Sequence, residues 1–541
     1  MSGETAYRFF RQHNLGYFLS LMAIVSLVYI PFLGNPFVFD DRSFFYDGPV
    51  DYYIHAFFHF DPRWLPNASL GWTYAIFGDK STYAFHLGNI LLHTGNVLLL
   101  FYLLRRLVDI VINSQKKPSV ALWGAWLGAL IFACHPVGVY AVGYIIQRSI
   151  LFATFFALVM QLAYLRGLLS GQKRWLILSV VAYFLAGFSK EHSVMLPAVM
   201  IAMTILLRAQ NKSSKHALWL TWAAFAAIGV LLTIRSQNIL ATSYEYFSRL
   251  RFEQMGITES TPVLHLLSIL TQAGLFFKYL LLWILPNPAW MSVDMREPFL
   301  LSWRTWQGWL GLVGFIVYGI IAGKLLLRPR WLGLAGLAML YPWLQFWVEF
   351  SSIRVQEPFV LYRSYLWLPG MMVFFPWLLS VLPGRKTWIA MSAVVLVLIS
   401  FSWNRLWVFA DPYRLWNDAA LLLPNERVAG ADRIFYGRGE AADWARRWDE
   451  AIADYQRALA ISPQLAPIHY QLGLAYAKTK RDQEAIAQYD IVIAMQPDIP
   501  LGYYAKGLSL LRLQQREQAL QQLQKSCALG YDQACLLARQ M

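Results

Sequence analysis

From about residue 15 to residue 403 the chain alternates between long apolar runs and short polar connectors. Most runs are about 17–25 residues long, the length that crosses a hydrocarbon core as a helix. They fall at roughly 15–33, 83–104, 119–135, 149–169, 175–188, 193–208, 217–235, 263–285, 306–325, 331–348, 365–382 and 387–403. After Trp403 the pattern changes to Ala, Gln, Asp, Arg and Glu at helical spacing.

That tail is periodic. Gly439, Gly473 and Gly507 recur every 34 residues, as do Ala451, Ala485 and Ala519. Tyr455, Tyr489 and Leu523 follow in the same phase, then Pro463 and Pro497. The period is that of tetratricopeptide (TPR) helix pairs. Small residues mark where paired helices touch, the larger residue is the knob between them, and proline ends the second helix. About three repeats bury a continuous core. Such a tail binds a peptide or protein, or packs on its own membrane domain.

Composition and charge set the class. The 541 residues are 57% hydrophobic and 14% charged, with a mean hydropathy of +0.42, which excludes a single soluble domain. The net charge of +15 does not point to nucleic acid, because no compact basic domain or recognition motif is present. The basic residues instead cluster between apolar runs: Arg8/Arg11, Arg105/Arg106/Lys116/Lys117, Lys173/Arg174, Arg208/Lys212/Lys215, Arg328/Arg330 and Arg385/Lys386. All reach the cytoplasmic side if 263–285 is a re-entrant or surface-lying helix, which leaves about eleven crossings. The expected fold is all-α, with a polytopic membrane domain over 1–403 and a TPR solenoid over 404–541. The N-terminus is then cytoplasmic and the tail lies across the membrane. Run 15–33 lacks a small-residue cleavage site and reads as an anchor.

In this topology four polar stretches face away from the cytoplasm. They are "NPFVFDDRSFF" (35–45), "HPVGVYAVGYIIQRS" (135–149), "SKEHS" (189–193) and "LYRSY" (361–365). Charges near membrane depth are costly and mark function, so the four together predict a site built from loops. One carboxylate of Asp40 and Asp41 can serve as general base. Adjacent like charges raise one pKa, while Arg42 opposes that rise. The alternative is a pair that caps the next helix. Arg148, Arg363 and Lys190 are candidate phosphate ligands, and Glu191 can orient Lys190 or an acceptor; interfacial ion pairs or snorkelling are the alternative. His86, Asn89 and His93 share one helical face, His86 near the outer end and His93 deeper, as an interior residue. His86, Asp40 and His135 are a possible metal set, but no ligand spacing compels one.

These stretches also carry a resemblance. "FVFDDRSFF", "RWLPNASLGWTYAIFG" with "FHLGNILLH", "HPVGVYAVGYIIQRS", "FSKEH" and "YRSYLWLPG" resemble, in order, motifs of the transmembrane and TPR-containing protein O-mannosyltransferases, of the GT-C class. They are scattered through most of residues 35–370, and the tail fits as well. The usual array is longer, and the family's "HPVHTE" reads "HPVGVY" here. The resemblance implies a shorter, bacterial inner-membrane relative with its TPR tail in the periplasm. It implies transfer of a mannose-like sugar from a polyprenyl-phosphate donor to a protein Ser or Thr hydroxyl, with no cofactor and no required metal. Asp40 would be the base, Asp41 would position the loop, and the tail would help hold the acceptor protein. An O-antigen-type ligase or polymerase using a lipid-diphosphate glycan is the nearest alternative. A lipid-linked sugar transporter would show inverted internal repeats, and none is visible.

The end of the tail, "KSCALGYDQACLLA", resembles the cysteine-rich Sel1-like helical repeats. That resemblance implies a Cys527–Cys535 disulfide across a helix hairpin, which persists only in an oxidising compartment. Packing of two small residues at a helix crossing is the alternative.

Overall fold

The structure is a computed structural model that describes residues 3–46, 48–55, 61–79, 81–112, 118–236, 252, 260–355, 357–382, 384–426 and 428–541. Among these the chain is all-helical, with no strands. It divides into two compact units. Unit 1 is Met1–Met291 with Phe299–Asp411, and unit 2 is Pro412–Met541 with Ser292–Pro298.

In unit 1, seven helices among the described residues are long and apolar enough to cross a membrane. They are Leu15–Phe32, Ile145–Ser170, Lys215–Arg235, Thr261–Ile284, Trp306–Leu326, Trp331–Ser351 and Arg385–Phe409. The pair Ala121–Cys134 and Pro136–Val142, bent by 60° at His135, makes an eighth if it is one span. Several of these helices are turned inside out relative to a soluble protein. Trp306, Leu310, Val313, Val317 and Ile320 are all exposed on one helix, as a lipid-facing surface requires.

The count is lower than the pattern of runs predicts, for identifiable reasons. Lys173–Ser189 has 17 residues and Leu196–Leu206 has 11. Run 365–382 breaks into Leu368–Met371 and Phe374–Val381. The 30-residue helix Tyr83–Ile112, whose His86, Asn89, His93 and Asn96 are all buried, is long enough to cross and is not among the seven. Conversely, Thr261–Ile284, expected to be re-entrant or surface-lying, is a continuous 24-residue apolar helix.

Unit 2 shows why the tail repeats. A Cβ on Gly439 would stand 2.8 Å from Tyr455 Cε1, one on Gly473 2.5 Å from Tyr489 Cε1, and one on Gly507 2.9 Å from Leu523 Cγ. Glycine lets the helices approach until the knob touches backbone. Ala451, Ala485 and Ala519 are fully buried in the same phase. Arg446, Lys480 and Gln514 take left-handed φ values of 58°, 62° and 61°, also one period apart, and turn the chain from one helix of each pair into the next. Asp532–Gln540 closes the array, and a disulfide joins Cys527 to Cys535 with their Cα atoms 4.7 Å apart.

Candidate functional site

In unit 1, the ends of several helices meet in one charged cluster. Lys173–Ser189 and Trp331–Phe346 arrive by their C-termini, while Trp64–Phe77 and Arg148–Ser170 begin there. The turns Glu191–Met195, Trp347–Ser351 and Leu361–Leu366 and the short helix Asp40–Tyr46 fill the space between. The structure thereby brings together Asp40, Lys190, Glu191 and Arg363.

The two aspartates form the first turn of the helix Asp40–Tyr46, and their side chains part company there. Asp41 is fully buried and accepts from the backbone N–H of Val38 (3.1 Å) and of Ile146 (2.8 Å). It ties its own loop to the turn before Arg148. Burial outweighs these donors and pushes its carboxyl up to about 8. Asp40 is exposed, and its backbone N–H donates to Tyr144 Oη at 2.9 Å. Phe39, just before it, holds a left-handed φ of 53°, a strained conformation of the kind found where a side chain must be aimed. Asp41 is therefore tied into the fold, while Asp40 is left exposed.

Tyr362 lies at the centre of the cluster. The charges of Arg363, Glu357, Asp40 and Arg63 all act on its hydroxyl, and Lys190 Nζ lies 5.5 Å from its ring centre. Around it the ions pair. Arg63 grips both oxygens of Glu191 at 2.5 and 3.0 Å. Buried Glu349 meets Arg354 at 3.0 Å and Arg363 at 3.2 Å, and Arg363 also reaches Glu357 at 3.9 Å. His192 stands between the two acids, 3.4 Å from Glu191 and 3.2 Å from Glu349. Lys190 differs from its neighbours. Its side chain is buried, yet among the described residues no carboxylate or other acceptor meets its Nζ. Burial, reinforced by Arg63, Arg363 and Arg354, pulls its ammonium down to about 7, against a smaller opposing pull from Glu191.

The other sequence candidates are not in this cluster. Arg148 is buried with its donors already taken. Nε donates to Asn89 Oδ1 (2.9 Å), Nη2 to Phe85 O (2.9 Å), and Nη1 to Ser69 O (3.1 Å) and Thr73 Oγ1 (3.2 Å). It clamps three helices together and offers nothing to a phosphate. Asn89 also donates to Val142 O and Ile145 O. His86 bonds Asn35 O, and His93 bonds both Tyr365 Oη and Ala133 O. His135 caps the bent helix by accepting from Val137 N–H, and its other nitrogen donates to Trp283 O. Both of its nitrogens are thus engaged, and among the described residues no group of His, Cys, Asp or Glu could hold a metal ion.

Sequence reading missed Arg63, Tyr144, His192, Glu349, Arg354 and Tyr362. Glu349 and Arg354 lie in "VEFSSIRVQEP" (348–358), a charged connector directly after an apolar run. The cost of charge at that depth was a usable signal.

Residues 447–480 match a family model described as TPR repeat, and residues 466–499 match one described as tetratricopeptide repeat. The tail carries TPR repeats. Among solved structures, a crystal structure of MamA is 26% identical over 21% of this chain, with a TM-score of 0.19; the match spans 64% of the MamA chain. YrrB, described as a TPR protein with an unusual peptide-binding site, is 21% identical over 31% of this chain and 90% of its own, with a TM-score of 0.22. No curated protein matches.

Proposed function

We propose that unit 1 is a membrane glycosyltransferase of the GT-C kind, moving a mannose-like sugar from a polyprenyl-phosphate donor to a protein hydroxyl. The observation that carries this reading is that one tyrosine, Tyr362, feels the charge of the exposed Asp40 carboxylate and has beside its ring the buried ammonium of Lys190, which meets no acceptor among the described residues. The reaction needs both. The acceptor hydroxyl attacks the anomeric carbon, Asp40 takes its proton, and the lipid phosphate leaves with the electron pair of the broken C–O bond. Lys190 meets the charge that develops on the leaving phosphate, and Arg63, Arg354 and Arg363 set the surrounding potential.

Arg63, Lys190, Arg354 and Arg363 face Asp40, Glu191, Glu349 and Glu357, four groups of each sign, so the donor phosphate is met locally by Lys190 and not by a net positive charge of the cluster. The TPR tail supplies a protein-binding surface for the acceptor, since stacked helix pairs present an extended concave face.

The test is Asp40→Asn in the full chain, assayed with a polyprenyl-phosphate mannose donor and an acceptor peptide. Transfer falls by about 10²–10⁴-fold while insertion and melting stay as in the parent. Undiminished transfer would remove Asp40 from the reaction and, with it, the reading.

A further inference from the structure

A second groove lies at the far end of the same helices. From Arg148 to Arg166 the chain climbs 18 residues of helix, about 27 Å at 1.5 Å per residue, away from the charged cluster. There the helices Tyr83–Ile112, Arg148–Ser170 and Lys173–Ser189 enclose a groove of about 530 Å³. Its floor is apolar, with Leu99, Val159 and Leu162 among its residues. Its rim carries Arg106 and Arg166 with two aromatic rings, Tyr102 and Trp175.

The two arginines are arranged in the same way. Arg106 donates from Nε and Nη2 to Tyr102 Oη at 3.1 and 2.9 Å, and Arg166 lies 4.0 Å over the ring of Trp175. Neither meets a carboxylate among the described residues. Asp109, one turn on from Arg105, pairs with that residue at 3.8 Å. Two guanidinium groups without acids, above an apolar slot between membrane-length helices, match an anionic headgroup carrying an acyl chain. The aromatic faces that would hold a choline ammonium are already occupied by arginine, which selects against a zwitterionic lipid.

We infer that this groove binds an acidic glycerophospholipid, its phosphate between Arg106 and Arg166 and one acyl chain along the Leu99–Leu162 floor. The site is separate from the sugar-transfer reading and stands or falls independently of it. It lies where the basic residues cluster at the ends of apolar runs, the leaflet face that acidic lipids populate.

Native mass spectrometry of the full chain, released from a one-to-one mixture of phosphatidylglycerol and phosphatidylcholine, tests it. The parent should retain phosphatidylglycerol about tenfold over phosphatidylcholine, whose choline cation would lie against the two arginines with no free aromatic face to hold it. Arg106→Gln/Arg166→Gln should erase that preference. Leu162→Trp, which keeps both arginines and fills the floor, should lower retention of phosphatidylglycerol as well. It decides the matter if the double variant does not fold. Equal retention of the two lipids by the parent overturns the proposal, as does undiminished retention by either variant. Displacement of the lipid by inorganic phosphate at matched concentration overturns it too, since the floor would then contribute nothing.

Discussion

Replacing Lys190 by Met should make the donor-free protein more stable and at the same time useless with its donor. Burial lowers the Lys190 ammonium from the usual 10.5 to about 7. At about 1.4 kcal/mol for each pH unit, holding the charged form in that place costs about 5 kcal/mol. The sign follows from proton binding. Below pH 7 both folded and unfolded chains carry the proton, and the full cost applies. Between about 7 and 10.5 only the unfolded chain keeps it, so stability rises with pH across that window, and above it the cost is gone. Methionine fills a similar volume without the charge. The variant's advantage should therefore approach about 5 kcal/mol at pH 6, a figure that already includes the attraction of Glu191, and shrink steadily toward pH 10. Thermal melting of the detergent-solubilised full chain from pH 6 to pH 9 measures it. Added polyprenyl-phosphate mannose should raise the melting point of the parent alone. A Lys190→Met protein that melts below the parent at pH 7, or that the donor stabilises equally, would show that the ammonium is already satisfied and is no donor ligand.

Asp41→Ala orphans the N–H groups of Val38 and Ile146 and should cost about 1–3 kcal/mol for each, with a matching fall in transfer as Asp40 loses its aim. Asp41→Asn keeps one acceptor and should melt between the two. Because the Asp41 carboxyl is raised to about 8, the fold binds the proton more tightly than the unfolded chain between about pH 4 and 8, and this residue's contribution to stability falls as pH rises through that range. Arg148→Met should lower folded yield and melting point and leave the donor KM of the surviving protein unchanged, which separates a clamp from a ligand. Gly473→Ala drives a methyl group to 2.5 Å from Tyr489 and should destabilise the tail by about 1–3 kcal/mol, read as faster proteolysis of the repeats. Peptides from protein purified without reductant should show Cys527 linked to Cys535 by mass spectrometry; free thiols would place the tail in a reducing compartment.

What the sequence determined by itself was local and periodic. A helix buries or exposes its side chains with a fixed period, so apolar runs and a 34-residue repeat are legible without any fold. The knobs Tyr455 and Tyr489 could be placed against Gly439 and Gly473 from spacing alone. The pull of loop charges toward one site could be read for Asp40, Lys190, Glu191 and Arg363, because charge at membrane depth is costly wherever it occurs. Other features depend on partners distant in the chain, and these only the tertiary structure decided. Arg148 and Lys190 look alike as candidate cations in sequence. Two neighbouring helices close on Arg148 and take its donors, while Lys190 is buried beside Tyr362 and its ammonium meets no acceptor among the described residues. The roles of Asp40 and Asp41 divide for the same reason, since Ile146, 105 residues away, supplies the hydrogen bond that holds one and leaves the other exposed.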